Sequence, residues 1–138
     1  MSSALILDTG GWLAALGGEE PHAEALEDAT TLIVPGLVLA ELDYFLRDQR
    51  RDMHRVLSEL SSGTYSYEPP TAEDLVRARE LDRKFASTDL GLVDATVAAL
   101  AERLNVLRIL TVDSDFSVVR IGKHYRQALE VVGGPLSQ

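Results

Sequence analysis

The chain contains no cysteine, so neither a disulfide nor a thiolate metal site is open to it. Its three histidines, at positions 22, 54 and 124, are scattered. His22 and His54 stand without a second His or Cys nearby, and His22 reads as a solvent-facing residue of a first helical turn. No apolar run approaches the length of a membrane span. Met1-Ser2-Ser3 has no basic region and leads straight into apolar residues, so no signal peptide is expected and a cytoplasmic location fits. Basic residues are in deficit, 13 Lys and Arg against 22 Asp and Glu, for a net charge of −9. That balance argues against a general nucleic-acid coat, which needs a broad basic surface. It leaves room for an enzyme that meets nucleic acid through a bound cation and a local basic patch. It also suits a basic protein partner, although solubility alone accounts for an acidic surface.

What remains is the composition of an ordinary soluble domain, 46% hydrophobic and 25% charged over 138 residues. Such a length supports one good core. A single domain is expected over 1–134, followed by a loose tail at 135–138. The first stretch, Ala4-Leu5-Ile6-Leu7, reads as a short buried strand. Gly10-Gly11 is expected to stop the strand, and Trp12 to Leu16 to resume as helix. Asp8 then stands at the carboxyl end of a buried strand, the edge where open α/β sheets bind ligands. On this stretch alone, Asp8 reads equally well as the cap of the following helix.

A second helix is expected from Glu19-Glu20-Pro21 to about Ala29, and a second strand at Thr31 to Val34. Pro35 opens a longer helix, Gly36 to about Leu60, with a possible interruption near Asp48 to Asp52. Val34, Val38 and Phe45 recur along one line of its start, and Glu41 falls on the same line. An ionised Glu on an apolar stripe is penalised unless something pairs with it, which favours a functional role. Asp43 lies off the stripe and reads as solvated. Arg47, Arg50, Arg51 and Arg55 form the densest basic cluster, read mainly as a solvated face with room for one or two phosphate contacts. Thr64 to Tyr67 alternates as a short edge strand. Thr71 with Asp74 three residues on spells a capping box for a helix whose stripe is Leu75, Ala78, Leu81 and Phe85. Asp89 reads as a first-turn dipole partner of the next helix. Asp94 lies beside the stripe of Val93, Val97, Leu100, Ala101 and Leu104, where Ala95, Ala98 and Ala99 keep the surroundings small. Val106 to Val112 is the next strand and ends in Asp113, with Asp115 and Phe116 beyond. Lys123-His124-Tyr125-Arg126 forms a small basic-aromatic patch before a last strand at Leu129 to Val132.

Strands alternating with helices imply a mostly parallel sheet with helices on both faces. If the Ala4 and Ile109 strands are parallel neighbours, Asp8 and Asp113 project from one edge, about 5 Å apart by sheet spacing. Glu41 and Asp94, each early on a helix entered from that edge, converge on the same place. Such carboxylates with no compensating Lys repel one another. A divalent cation resolves the repulsion, and all-oxygen ligation selects Mg²⁺ or Mn²⁺ over zinc. The site suits phosphodiester hydrolysis, because a cation neutralises phosphate charge, acidifies a water and stabilises the leaving oxygen. Thr9 is placed to orient a carboxylate or a water.

Ile6-Leu7-Asp8-Thr9, Pro35-Gly36-Leu37-Val38-Leu39-Ala40-Glu41-Leu42, Leu92-Val93-Asp94-Ala95 and Leu110-Thr111-Val112-Asp113-Ser114-Asp115-Phe116 span nearly the whole chain. In order and spacing this set resembles the PIN-domain ribonucleases, and among them the VapC toxins of bacterial toxin–antitoxin pairs. The resemblance implies a three-layer α/β/α fold with a central, mostly parallel sheet. It makes Asp8, Glu41, Asp94 and Asp113 a catalytic quartet holding Mg²⁺, with Asp115 an auxiliary acid or a loop residue. It further implies RNA cleavage leaving a 3′-hydroxyl and a 5′-phosphate, a homodimer, and inhibition by a VapB-type antitoxin. Gly10-Gly11 departs from the family, which more often carries Ser and a small residue there. Asp8-Thr9-Gly10 also spells the aspartic-protease signature, but those enzymes are largely β. A response-regulator receiver would need an acidic pair at the first strand and a late Lys. The remaining rival is a metal-free binding or assembly module on the same fold.

Overall fold

The computed structural model describes residues 3–136. Of the expected tail, Ser137 and Gln138 lie outside the described residues, as do Met1 and Ser2. Five strands form one parallel sheet: β1 (Ala4–Leu7), β2 (Thr31–Pro35), β3 (Ser66–Glu68), β4 (Arg108–Thr111) and β7 (Glu130–Gly133), in the order β3-β2-β1-β4-β7. Two short strands, β5 (Arg120–Ile121) and β6 (Gln127–Ala128), pair antiparallel as a separate hairpin. Between the sheet strands run α1 (Thr9–Leu16), α2 (His22–Asp28), α3 (Gly36–Phe45), α4 (Arg50–Ser62), α5 (Ala72–Lys84) and α6 (Gly91–Leu104).

The strand order carries the functional geometry. From β1 the chain steps outward through β2 to β3, then crosses back to β4 on the other side of β1. Right-handed crossovers in opposite directions put their helices on opposite faces, which makes three layers of α/β/α. The reversal falls between β1 and β4, which pair with Ile6 opposite Ile109 and Leu7 opposite Leu110. The crevice at such a reversal, beyond the carboxyl ends of the strands, is where α/β sheets receive ligands.

The central strands are buried on both faces, with Leu5, Ile6, Leu7, Ile109 and Leu110 all fully inaccessible. This explains why they read as continuous apolar runs rather than alternating ones. The capping box on α5 is present: the Asp74 amide donates to Thr71 Oγ1 and the Thr71 amide donates to Asp74 Oδ2, each at 3.0 Å.

Several expectations need correction. Gly10 and Gly11 do not delay the helix; α1 begins at Thr9 and contains both. A Cβ on Gly11 would collide with the Leu110 carbonyl, and one on Gly10 with the Val112 side chain. The glycine pair therefore lets α1 lie directly on the backbone of β4. The long helix after Pro35 is two helices separated by residues 46–49, in line with the anticipated interruption. Phe45 leaves the buried line and is 53% exposed, because α3 ends there and Leu46 turns inward in its place. Leu75 likewise stands exposed, while Ala78 and Leu81 keep the α5 stripe in the core. Asp89 precedes α6 in a left-handed turn (φ 53°) rather than joining its first turn.

His22 is the largest reversal. It is 1% exposed, and its Nε2 lies 2.8 Å from the Gly134 carbonyl and 3.2 Å from the Thr111 carbonyl. Two acceptors make Nε2 the protonated nitrogen, so the ring bridges α2 to the ends of β4 and β7. Gly133, at φ 87°, passes so close that any Cβ there would meet the imidazole. The partners lie 89 and 112 residues away, beyond the reach of any local pattern.

Candidate active site

Asp8 stands one residue past β1, 7% exposed, with its backbone amide donating to the Leu110 carbonyl at 2.9 Å. It occupies the N-cap position of α1 but makes no side-chain capping hydrogen bond. Its Oδ2 instead accepts from Thr111 Oγ1 at 2.8 Å. The capping reading of Asp8 is thus set aside in favour of a carboxylate turned across the β1–β4 crevice. Burial raises its pKa, the Thr111 hydroxyl pulls it back, and Glu41 and Asp113 push it further up.

Thr111 was not singled out from the sequence, and it is the hinge of this arrangement. Fully buried at the end of β4, it donates to Asp8 and accepts the Asp113 amide on the same oxygen, at 3.0 Å. One hydroxyl therefore ties the acids at the ends of the two central strands. The available signal was a hydroxyl residue inside an otherwise apolar strand, two positions before an acid. Asp113 in turn accepts the Asp115 amide on Oδ1 at 2.8 Å, which caps the short 3₁₀ turn Ser114–Ser117.

From the other side, α3 carries Glu41, whose Oε1 accepts from Thr9 Oγ1 at 2.6 Å. Thr9 thus orients a carboxylate, one of the two uses expected of it. Asp94 sits in the first turn of α6, above the fully buried Ala95 and Ala98. Its pKa is pushed up to about 7, by burial first and then by the charges of Asp8, Asp113, Glu41 and Asp115. Burial and the neighbouring carboxylates thus act on Asp94 in the same direction. Among the described residues, no ion pair includes any of them; the acids that pair with arginines are Asp43, Glu68, Asp74, Glu80, Glu102 and Glu130.

The donor set is all carboxylate oxygen, the chemistry that a hard divalent cation selects. Among the described residues, however, no group of three or more His, Cys, Asp or Glu side chains is drawn together tightly enough to hold a metal ion. The residues thus fit a cation in kind, but among the described residues they do not form a closed ligand cage.

The basic cluster of α3 and α4 resolves into separate roles. Arg50 pairs with Asp43 at 2.7 Å on the surface, and Arg55 lines a groove of about 390 Å³ with Leu13, Leu16, Phe45 and Val56. Arg47 lies over the Tyr44 ring. The Lys123–Arg126 patch sits on a turn beside α5, where Arg77 and Lys84 both approach the Tyr125 ring.

The chain belongs to the PIN domain family, whose model matches residues 5–122. The chain is homologous to the VapC ribonuclease toxins. It is 32% identical over 124 residues to ribonuclease VapC26 of Mycobacterium tuberculosis, across 84% of this chain and 92% of that protein. Among solved structures it is similar to M. tuberculosis VapC20, a sarcin-ricin loop cleaving toxin, with TM-score 0.65, 26% identity, and 83% and 93% of the two chains covered. A toxin–antitoxin complex from Klebsiella pneumoniae shares the fold with TM-score 0.67 at 21% identity, over 82% of this chain and 90% of that one. VapBC2 from Rickettsia felis, bound to a promoter DNA fragment, shares it with TM-score 0.63 at 17% identity, over 94% and 98%. The homology supports a nuclease-type function. No helix among the described residues is long and apolar enough to cross a membrane.

Proposed function

We propose that the protein is a Mg²⁺-dependent endoribonuclease, the toxin of a VapBC-type pair, with Mn²⁺ able to replace Mg²⁺. The observation that supports this reading most is the Thr111 hydroxyl, which ties Asp8 to Asp113 while Thr9 holds Glu41, and among the described residues none of these acids or Asp94 enters an ion pair. A divalent cation bound there would neutralise phosphate charge and acidify a water. Asp8, Glu41, Asp94 and Asp113 would hold it. Thr111 and Thr9 keep Asp8 and Glu41 from rotating away from the shared point. Because burial and its acidic neighbours push the Asp94 pKa up to about 7, a cation bound there would displace a proton from its carboxylate. The reaction adds water across the P–O3′ bond: hydroxyl oxygen goes to phosphorus, and the leaving 3′-oxygen takes a proton. The products are a 3′-hydroxyl and a 5′-phosphate. The homologies support an antitoxin partner of VapB type, and a homodimer and a cytoplasmic setting belong to the same proposal.

The loose spacing of the acids favours one second reading, a binding or assembly module of the same fold that takes no metal. Cleavage of a mixed RNA pool separates the two. Purified protein is incubated with Mg²⁺, with EDTA, and as the Asp8→Asn variant. Cleavage that requires both the metal and Asp8 is expected. No cleavage in any arm, with no heat of Mg²⁺ or Mn²⁺ binding, overturns the nuclease reading in favour of the module.

A further inference from the structure

Two of the most exposed aromatic side chains stand side by side on the helix that carries Glu41. Tyr44 is 61% exposed and Phe45 53%. Their ring centroids lie 5.6 Å apart with the planes at 78°, so the edge of one ring supports the other. A single exposed aromatic needs no explanation. This pair is different because of what lies over it. Arg47 folds back so that its Nη1 donates to the Tyr44 carbonyl at 2.8 Å, with Cζ 4.3 Å from the Tyr44 ring centroid. The guanidinium is thereby held on the ring, and among the described residues no ion pair includes it. Arg50, three residues on, is already neutralised by Asp43.

Position gives the assembly its meaning. Residues three and four apart on a helix are neighbours, with Cβ atoms about 5–6 Å apart. Tyr44 and Phe45 stand in that relation to Glu41, which Thr9 pins at the acidic edge. Tyr44 is therefore within one helical turn of Glu41 on α3. The edge itself is acidic in a chain of net charge −9, so it repels a polyanion and needs a local cation beside it.

We infer that Tyr44 and Arg47 form a subsite for single-stranded RNA, in which the ring stacks a nucleobase and the guanidinium pairs the adjoining phosphate. The inference rests on the ribonuclease reading of the acidic edge and names the contacts that hold its substrate. Unpaired bases expose π faces that stack on aromatic rings and guanidinium planes. The donors that Arg47 does not use on Tyr44 match phosphate oxygens.

Binding of a fluorescent mixed-sequence RNA oligonucleotide pool, read by anisotropy with Mg²⁺, tests the subsite. Tyr44→Ala, Tyr44→Phe and Arg47→Ala are each made in an Asp8→Asn background for binding and in the native background for cleavage. Tyr44→Ala is expected to weaken binding roughly tenfold and to raise KM with little change in kcat, while Tyr44→Phe stays within about twofold. Arg47→Ala should weaken binding and flatten its salt dependence by about one ion. Equal binding by Tyr44→Ala and its parent overturns the inference. So does a loss accompanied by a change in oligomeric mass on sedimentation, which assigns the pair to a protein contact. A native protein that cuts RNA with Tyr44→Ala cutting equally well refutes the subsite alone. A native protein that neither binds nor cuts RNA refutes the ribonuclease reading and the subsite with it.

Discussion

Aspartate is buried in two regions of this molecule and treated in opposite ways. At the start of α5, Asp74 is 4% exposed, closes the capping box with Thr71, and takes Arg103 Nε on both oxygens at 3.1 Å. Burial acts to raise its pKa, but Arg103 and the Thr71 amide outweigh that and hold the carboxyl below its usual range. Close by, Glu102 is clasped by Arg77 through two hydrogen bonds of 3.0 and 2.9 Å. At the β1–β4 crevice, burial raises Asp8 and Asp94, and the neighbouring charges raise them further. The first region spends its acids on holding α5 to α6. The second keeps acids without counter-charge, a cost that folding alone gives no reason to bear. Function is therefore read from the unpaired set.

The comparison breaks most sharply under paired substitutions. Asp94→Asn should lower RNA cleavage by at least about a hundredfold. In metal-free buffer at pH 8 it should also raise the melting temperature by roughly 3–8 °C, because a charge held in repulsion is removed. Asp74→Asn should do the reverse, lowering the melting temperature by a similar amount and leaving kcat within about twofold. Circular-dichroism melts beside the cleavage assay check both, and a destabilised Asp94→Asn would dissolve the distinction. A smaller effect is expected at the join between the acids. Thr111→Val keeps the shape but removes the hydroxyl that Asp8 and Asp113 share, so kcat should fall about 10–100-fold. Single-turnover rates with saturating Mg²⁺ measure this; an unchanged rate would mean that the backbone alone places the two acids.

The sequence made some of this architecture readable and hid the rest, for physical reasons. Asp8 after four apolar residues, Asp113 after the Ile109 strand and the Thr71–Asp74 box are all local patterns, and each sits where its pattern put it. Glu41 stood out as a charge on an apolar line. His22 misled because its environment is supplied by Thr111 and Gly134 from the far end of the chain. Gly10 and Gly11 looked like the stop of the first strand, whereas their use is close approach to β4, which is visible only once the sheet is assembled. Thr111 passed unnoticed because a threonine in a strand is ordinary, and its two partners lie on different strand ends. Phe45 fitted the helical period but not the length of the helix.

The central claim is that the acids at the crevice share a repulsion which a divalent cation relieves. Its most direct test is the melting temperature of metal-free wild-type protein from pH 5 to 9, with and without Mg²⁺. Asp8 and Asp94 have folded pKa values above the unfolded value of about 3.9. The folded chain therefore binds more protons, and their contribution to stability is lost as pH rises toward the folded values, about 7 for Asp94. Asp74 has the opposite sign, since its lowered pKa adds stability above about pH 4 and loses it only below. The melting temperature of the metal-free protein should thus fall between pH 5 and about pH 8, and Mg²⁺ should restore it most at the upper end. Asp94→Asn should flatten the fall and blunt the metal effect. A wild-type profile that is level across this range and unmoved by Mg²⁺ would contradict the account.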